Sequence, residues 1–194
     1  MGNRINSQRS IDTTRLICYN TYIKIKQIII LKEEPKLIVI GYQGIGKSTL
    51  AEKNYRYIDF ESSALKHEDG SGAYNWYELY CMMAEWLSKQ GYIVFVSNHK
   101  EVRDYLNRHC KEPFCAIVPS LSLKDWWLKK LHNRYNDTKS MKDALAYYRA
   151  IHWFTEDVTA IKDDIQITKE ITTTNYDLAR IVGLLYLKTK GERN

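Results

Sequence analysis

Hydrophobic and polar positions along this chain follow two periods in turn. Short runs that are apolar at nearly every position, or at every second one, occur at Lys36–Ile40, Arg56–Phe60, Tyr92–Val96 and Phe114–Val118, the last ended by Pro119. Their length, their bounding Gly and Pro residues and their Ile/Val content predict strands, and the unbroken apolar runs predict strands covered on both faces. Between them, Lys47–Lys53, Trp76–Gln90 and Lys100–Cys110 carry the helical period. In the second of these, Trp76, Tyr80, Met83 and Leu87 share one face, and Gly91 is a natural stop. Three more helix starts follow one rule, a hydroxyl with Asp three residues on: Ser122…Asp125, Ser140…Asp143 and Thr174…Asp177. Ile165–Thr168 is the candidate fifth strand. Strands alternating with helices predict an α/β fold, a doubly wound parallel sheet of about five strands flanked by helices. Upstream, residues 1–20 show no period, Tyr22–Leu31 alternates and then turns wholly apolar like an edge strand, and Glu33-Glu34-Pro35 breaks it. The pattern divides the chain into an N-terminal extension, 1–35, and one domain, 36–194.

The junction between the first strand and first helix carries the most specific chemistry. Gly41-Tyr42-Gln43-Gly44-Ile45-Gly46-Lys47-Ser48 fits G-x-x-x-x-G-K-S/T, the phosphate-binding loop of ATP- and GTP-using proteins. The strand before it and the helix after it are the context that this chemistry requires. Glycines let backbone N–H groups curl round phosphates, and a helix N-terminus adds a positive dipole end. The motif predicts a nucleotide-binding domain of P-loop NTPase type. Gly41, Gln43, Gly44, Ile45, Gly46, Lys47, Ser48 and Thr49 would cradle ATP. Lys47 would reach the β- and γ-phosphates, and the Ser48 hydroxyl would ligate Mg²⁺.

Composition narrows this picture only slightly. At 194 residues, 44% hydrophobic and 27% charged, the chain reads as an ordinary globular protein. No apolar stretch approaches the roughly 18 residues that would span a membrane. Asn6 stands where a myristoylation signal wants Ser or Thr, and no signal-peptide core follows, so the expected location is the cytoplasm. The four cysteines form no C-x-x-C pair, and His109-Cys110…Cys115 lacks a second ligand pair, which predicts reduced thiols rather than a zinc site. Net charge is +6; seven Lys/Arg in residues 1–36 against Asp12, Glu33 and Glu34 place +4 there and leave +2 for the rest. That remainder does not by itself argue for nucleic acid.

Three constellations could carry chemistry. Asp59 and Glu61, at the carboxyl end of the second strand, would point the same way by alternation. They would hold the metal, Asp59 foremost, or take the proton of an attacking oxygen; the bland alternative is a surface acidic turn. The third strand ends in Ser97-Asn98-His99, with no acid of its own. His99 would contact a phosphate or substrate oxygen, or else simply open the next helix. Lys130 and Arg134 stand i, i+4 on a predicted helix, suited to bracketing a transferring phosphate, in which case their loss would cost little stability; the bland alternative is a solvated basic face. Trp126, Trp127 and Leu131 on that helix read as core. No N-K-x-D follows the fourth strand, which argues against a GTPase.

From the phosphate loop, the paired acids and the basic pair, the order of elements resembles the small P-loop kinases over about residues 36–190. These are adenylate kinase and other nucleoside monophosphate kinases, with shikimate and gluconate kinases as cousins. The resemblance implies an ATP- and Mg²⁺-dependent phosphotransferase acting on a nucleotide or related small acceptor. Lys130 and Arg134 resemble the paired basic residues that lead into a mobile lid, here the very short Tyr135–Lys139. Arg149 resembles a later lid arginine, and Asp59 and Glu61 resemble the paired acids of the shikimate kinase branch. Segment 61–90, where such kinases hold the acceptor, has no arginine between Ser62 and Gln90 to grip a monophosphate, so Arg103, Arg108 or His99 would have to serve. Two rival readings stay open: a kinase of nucleic-acid ends or modified bases, favoured by the basic extension, and a non-catalytic ATP-binding regulatory protein, favoured by the acid missing from the third strand.

Overall fold

The computed structural model describes residues 36–65 and 75–191. The strand expected at Tyr22–Leu31, with the rest of the basic extension, lies outside the described residues. Five strands, β1 (Leu37–Gly41), β2 (Tyr57–Asp59), β3 (Ile93–Val96), β4 (Phe114–Pro119) and β5 (Thr168–Ile171), form one sheet in the order β2-β3-β1-β4-β5. Every pairing is parallel; β1 lies between β3 and β4, with Val39 opposite Phe95 on one side and Cys115 on the other. Among the described residues six α-helices accompany them: α1 (Lys47–Lys53), α2 (Trp76–Lys89), α3 (Lys100–His109), α4 (Lys124–Thr138), α5 (Met141–Asp164) and α6 (Leu178–Gly191).

Connection handedness explains the layering. The path from β1 to β2 runs across the sheet in the opposite direction to those from β2 to β3, β3 to β4 and β4 to β5. Right-handed crossovers therefore put α1 on one face and α2, α3 and the α4–α5 pair on the other. The central strands are buried along their whole length, Leu37–Ile40 at 0% exposure, as an apolar run in a sheet covered on both faces should be. Because all strands are parallel, their carboxyl ends share one edge. The loops leaving β1 and β4 diverge there, opening the crevice in which open α/β sheets bind ligands. Among the described residues no helix is long and apolar enough to cross a membrane.

Several local expectations need correction. The fifth strand begins at Thr168, where the expected one ended; Ile165 instead caps α5, its buried side chain belonging to the helix end. Ser140 caps α5 as expected, its hydroxyl accepting from the Asp143 N–H at 3.2 Å. The other two caps do not form. Ser122 lies within a short 3₁₀ turn, Leu121–Leu123, that precedes α4, and at α6 Asp177 itself accepts the Arg180 N–H at 3.2 Å. The buried face of α2 is Tyr80, Cys81, Ala84 and Ser88. Met83, which shares a helical face with Tyr80 by spacing, is 40% exposed, and Leu79, Met82 and Trp86 are exposed to a greater degree. On the buried face the Cys81 thiol lies 4.0 Å from the Val102 carbonyl of α3, and the Tyr80 hydroxyl donates to the Phe60 carbonyl. The expected lid Tyr135–Lys139 is not a loop: Tyr135–Thr138 form the last turn of α4, and Lys139, at φ 53°, with the extended cap residue Ser140, turns the chain into α5.

Candidate functional site

The loop between β1 and α1 obtains its shape from two glycines in the left-handed region, Gly44 at φ 83° and Gly46 at φ 97°. Gly44 is also a close-approach position: a Cβ there would lie 2.9 Å from Leu131 Cδ2 and 3.3 Å from Trp127 Nε1, both on α4. Gly44→Ala should therefore cost about 2–4 kcal/mol, combining left-handed strain with overpacking. Urea unfolding of that variant measures the cost, and a neutral result would mean the loop does not seat against α4. Gly41 has a different function. The Lys47 side chain folds back over it, a Cβ there would lie 2.6 Å from Lys47 Cδ, and Lys47 Nζ donates to the Gly41 carbonyl at 2.8 Å.

Ser48, in the first turn of α1, donates its hydroxyl proton to Asp59 Oδ2 at the end of β2, 2.5 Å away. Burial pushes the Lys47 ammonium below the usual lysine range, against the pull of Asp59 and Glu61. A cavity of about 1060 Å³ opens over these groups, lined on its other walls by Trp126, Lys130, Arg134 and Tyr176. Gly44–Thr49, both acids and both members of the basic pair thus line one cavity at the sheet edge where the crevice was expected, whereas Gly41 and Gln43 do not line it. Among the described residues no cluster of three or more His, Cys, Asp or Glu could hold a metal on its own. The Ser48–Asp59 oxygens are the pair that fits a hard cation, one that keeps most of its waters and takes one or two protein oxygens.

The remaining expected residues divide. Glu61 is paired with Lys142 at the start of α5, a cation on the cavity wall that the sequence reading did not single out. Its signal was its position two residues after the Ser140 cap, legible only once the α4–α5 turn is known. Arg134 pairs with Asp143 at 2.7 Å, while its Nε is buried without a hydrogen-bond partner. Lys130 donates to Tyr176 Oη at 2.8 Å and lies over three aromatic rings. His99 precedes α3, bonds Ser97 Oγ at 2.9 Å and packs edge-on against Trp76. Arg149 pairs with Asp157 and does not line the cavity. Arg103 is buried, pairs with Asp164 at 2.7 Å and binds the Asn98 carbonyl, so it ties α3 to the end of α5 rather than serving an acceptor.

Arg134, placed by its spacing on a basic helix face, also meets the start of α5 through Asp143, which accepts from the Thr138 hydroxyl at 2.6 Å as well. Burial alone would raise the Asp143 carboxyl, but the Thr138 hydroxyl, Arg134 and the Ser140 hydroxyl together hold it below the usual range. A depressed carboxylate contributes stability above its unfolded pKa of about 4, and this is lost as pH falls through the folded value. The stability difference between wild type and Asp143→Asn should therefore be full at pH 7 and shrink below about pH 4. Urea unfolding at pH 7 and pH 3 checks this, and a gap independent of pH would remove the ion pair from the account. The chain matches no protein-family model and no curated protein.

Proposed function

We propose that this protein is an ATP- and Mg²⁺-dependent phosphotransferase of P-loop NTPase type, working in the cytoplasm on a nucleotide or related small hydroxyl or phosphate acceptor. One observation carries the reading. Lys47, the Ser48–Asp59 oxygen pair and the Arg134 guanidinium come from three separate elements and line a single cavity. At about 1060 Å³ that cavity sits at the upper end of small-molecule sites, suited to a nucleoside triphosphate.

Phosphoryl transfer needs positioning and charge stabilisation more than covalent chemistry from the protein. The loop amides and Lys47 bind and orient the terminal phosphates. Mg²⁺, held by Ser48 and Asp59, would neutralise phosphate charge. Arg134, on the cavity wall beside its Asp143 partner, would offset charge developing on the transferred group, and Lys142 can leave Glu61 for the same purpose. Glu61, released from Lys142, or Asp59 takes the proton of the acceptor hydroxyl. As that oxygen bonds to the γ-phosphorus, the bond from phosphorus to the leaving diphosphate oxygen breaks.

A second reading, an ATP-binding protein without turnover, is favoured by Ser97-Asn98-His99, where the strand beside β1 ends with no acid. ATP consumption screened against nucleotides, sugars and oligonucleotides separates the readings. Acceptor-dependent ADP release supports the kinase. Tight ATP binding without turnover on any acceptor supports the second reading. Activity on oligonucleotides alone, with salt-sensitive binding that weakens when residues 1–30 are deleted, identifies a polynucleotide kinase.

A further inference from the structure

Two carbonyls of the phosphate loop are held from outside. Trp127 Nε1, on α4, donates to the Gln43 carbonyl at 2.9 Å. Tyr176, just before α6, donates its hydroxyl to the Ile45 carbonyl at 3.1 Å. The two rings stack on each other at 6.2 Å and 14°. In a planar trans peptide the C=O and the following N–H point in opposite directions. Turning the Gln43 carbonyl toward Trp127 therefore turns the Gly44 N–H away from it. Likewise, the Ile45 carbonyl on Tyr176 turns the Gly46 N–H to the opposite side. Gly44 and Gly46 are the two loop residues in the left-handed region, where the backbone has most freedom to misplace those amides.

Lys130 sets the direction of this network. An ammonium has three donors and no acceptor, while a phenol has one proton. Because Lys130 Nζ donates to Tyr176 Oη at 2.8 Å, the single Tyr176 proton is left to point at the Ile45 carbonyl. Burial, and next Arg134, pull the Lys130 ammonium below the usual lysine range, while the rings of Trp126 at 5.0 Å, Trp127 at 4.8 Å and Tyr176 at 5.1 Å act against this and favour its charged form.

We propose that Trp127 and Tyr176 are positioning residues that preset the Gly44 and Gly46 amides for an anion, and that Lys130 acts through Tyr176 rather than on the phosphate. The proposal rests on the phosphate-loop reading for its ligand, but the clamp itself does not need one. Burial pushes the Tyr176 hydroxyl up to about 12, so its proton stays on at neutral pH, as the relay requires.

The test uses the full chain and two readouts. Hydrogen exchange over residues 43–48 in Tyr176→Phe should be faster than in wild type, with the rest of the sheet unchanged. ATP affinity should fall roughly five- to tenfold, the effect of one lost hydrogen bond. Lys130→Met should weaken ATP to a similar degree alone, yet add little in the Tyr176→Phe background. Unchanged exchange over 43–48 overturns the clamp. An equal loss from Lys130→Met in both backgrounds shows that Lys130 binds phosphate directly, and overturns the relay. If wild type binds neither ATP nor pyrophosphate, the phosphate-loop reading fails, and the exchange result still decides whether the loop is clamped. Trp127 is wholly buried, so Trp127→Phe is compared only after its melting temperature shows it folded.

Discussion

Lys47→Ala should reduce ATP affinity by about ten- to a hundredfold or more while leaving the chain folded. A charge-assisted hydrogen bond to a buried phosphate is worth about 1.5–3 kcal/mol, and Lys47 also supplies the cation nearest the loop. In the structure its ammonium satisfies itself on the Gly41 carbonyl at 2.8 Å, so it is stored at the loop rather than dispersed in solvent. Its folded-state contacts are the Gly41 carbonyl and the packing of its stem over Gly41. Both lie within the loop, so truncation should move the melting temperature by only a few degrees. Calorimetric titration with ATP and thermal unfolding measure the two effects. Wild-type affinity in a folded Lys47→Ala protein would remove the basis for nucleotide binding altogether.

Asp59→Asn should lower turnover by about 10²–10⁴-fold and change ATP affinity only a few-fold. The substitution keeps the shape and an oxygen acceptor for the Ser48 hydroxyl, but it removes the charge that the 2.5 Å Ser48–Asp59 contact brings to the cavity. Glu61→Gln should be milder, because Glu61 is more exposed and already shared with Lys142. Single-turnover rates and ATP dissociation constants for both variants test the assignment. An inactive Glu61→Gln beside an active Asp59→Asn would reverse the roles.

Much of the frame was legible before any coordinates. The runs at Leu37–Ile40 and Tyr92–Val96 announce buried parallel strands because a strand covered on both faces has no polar side to alternate with. The glycines of the loop announce its left-handed residues, and Ser140…Asp143 its cap. Errors arose where a local signal competed with packing. The run Ile165–Thr168 looks like a strand by composition, yet Ile165 is drawn into the end of α5, and pairing with β4 starts only at Thr168. Met83 shares the Tyr80 face by spacing, but the buried side of α2 is Tyr80, Cys81, Ala84 and Ser88. Spacing states which residues share a face, not which face the sheet receives.

By itself the sequence determined the phosphate-loop motif, the order of strands and helices, and Asp59 and Arg134 as candidates, because each rests on residues close together along the chain. Only the tertiary structure decided their partners. Lys142 meets Glu61 across 81 residues, Lys130 meets Tyr176 across 46, Trp127 reaches Gln43 across 84, and Tyr176 reaches Ile45 across 131. Such contacts depend on which loops the β2-β3-β1-β4-β5 order brings to one edge, and on how the α4–α5 turn sets Asp143 against Arg134. No local period or spacing encodes them, since they come from the summed packing of the whole sheet and its helices.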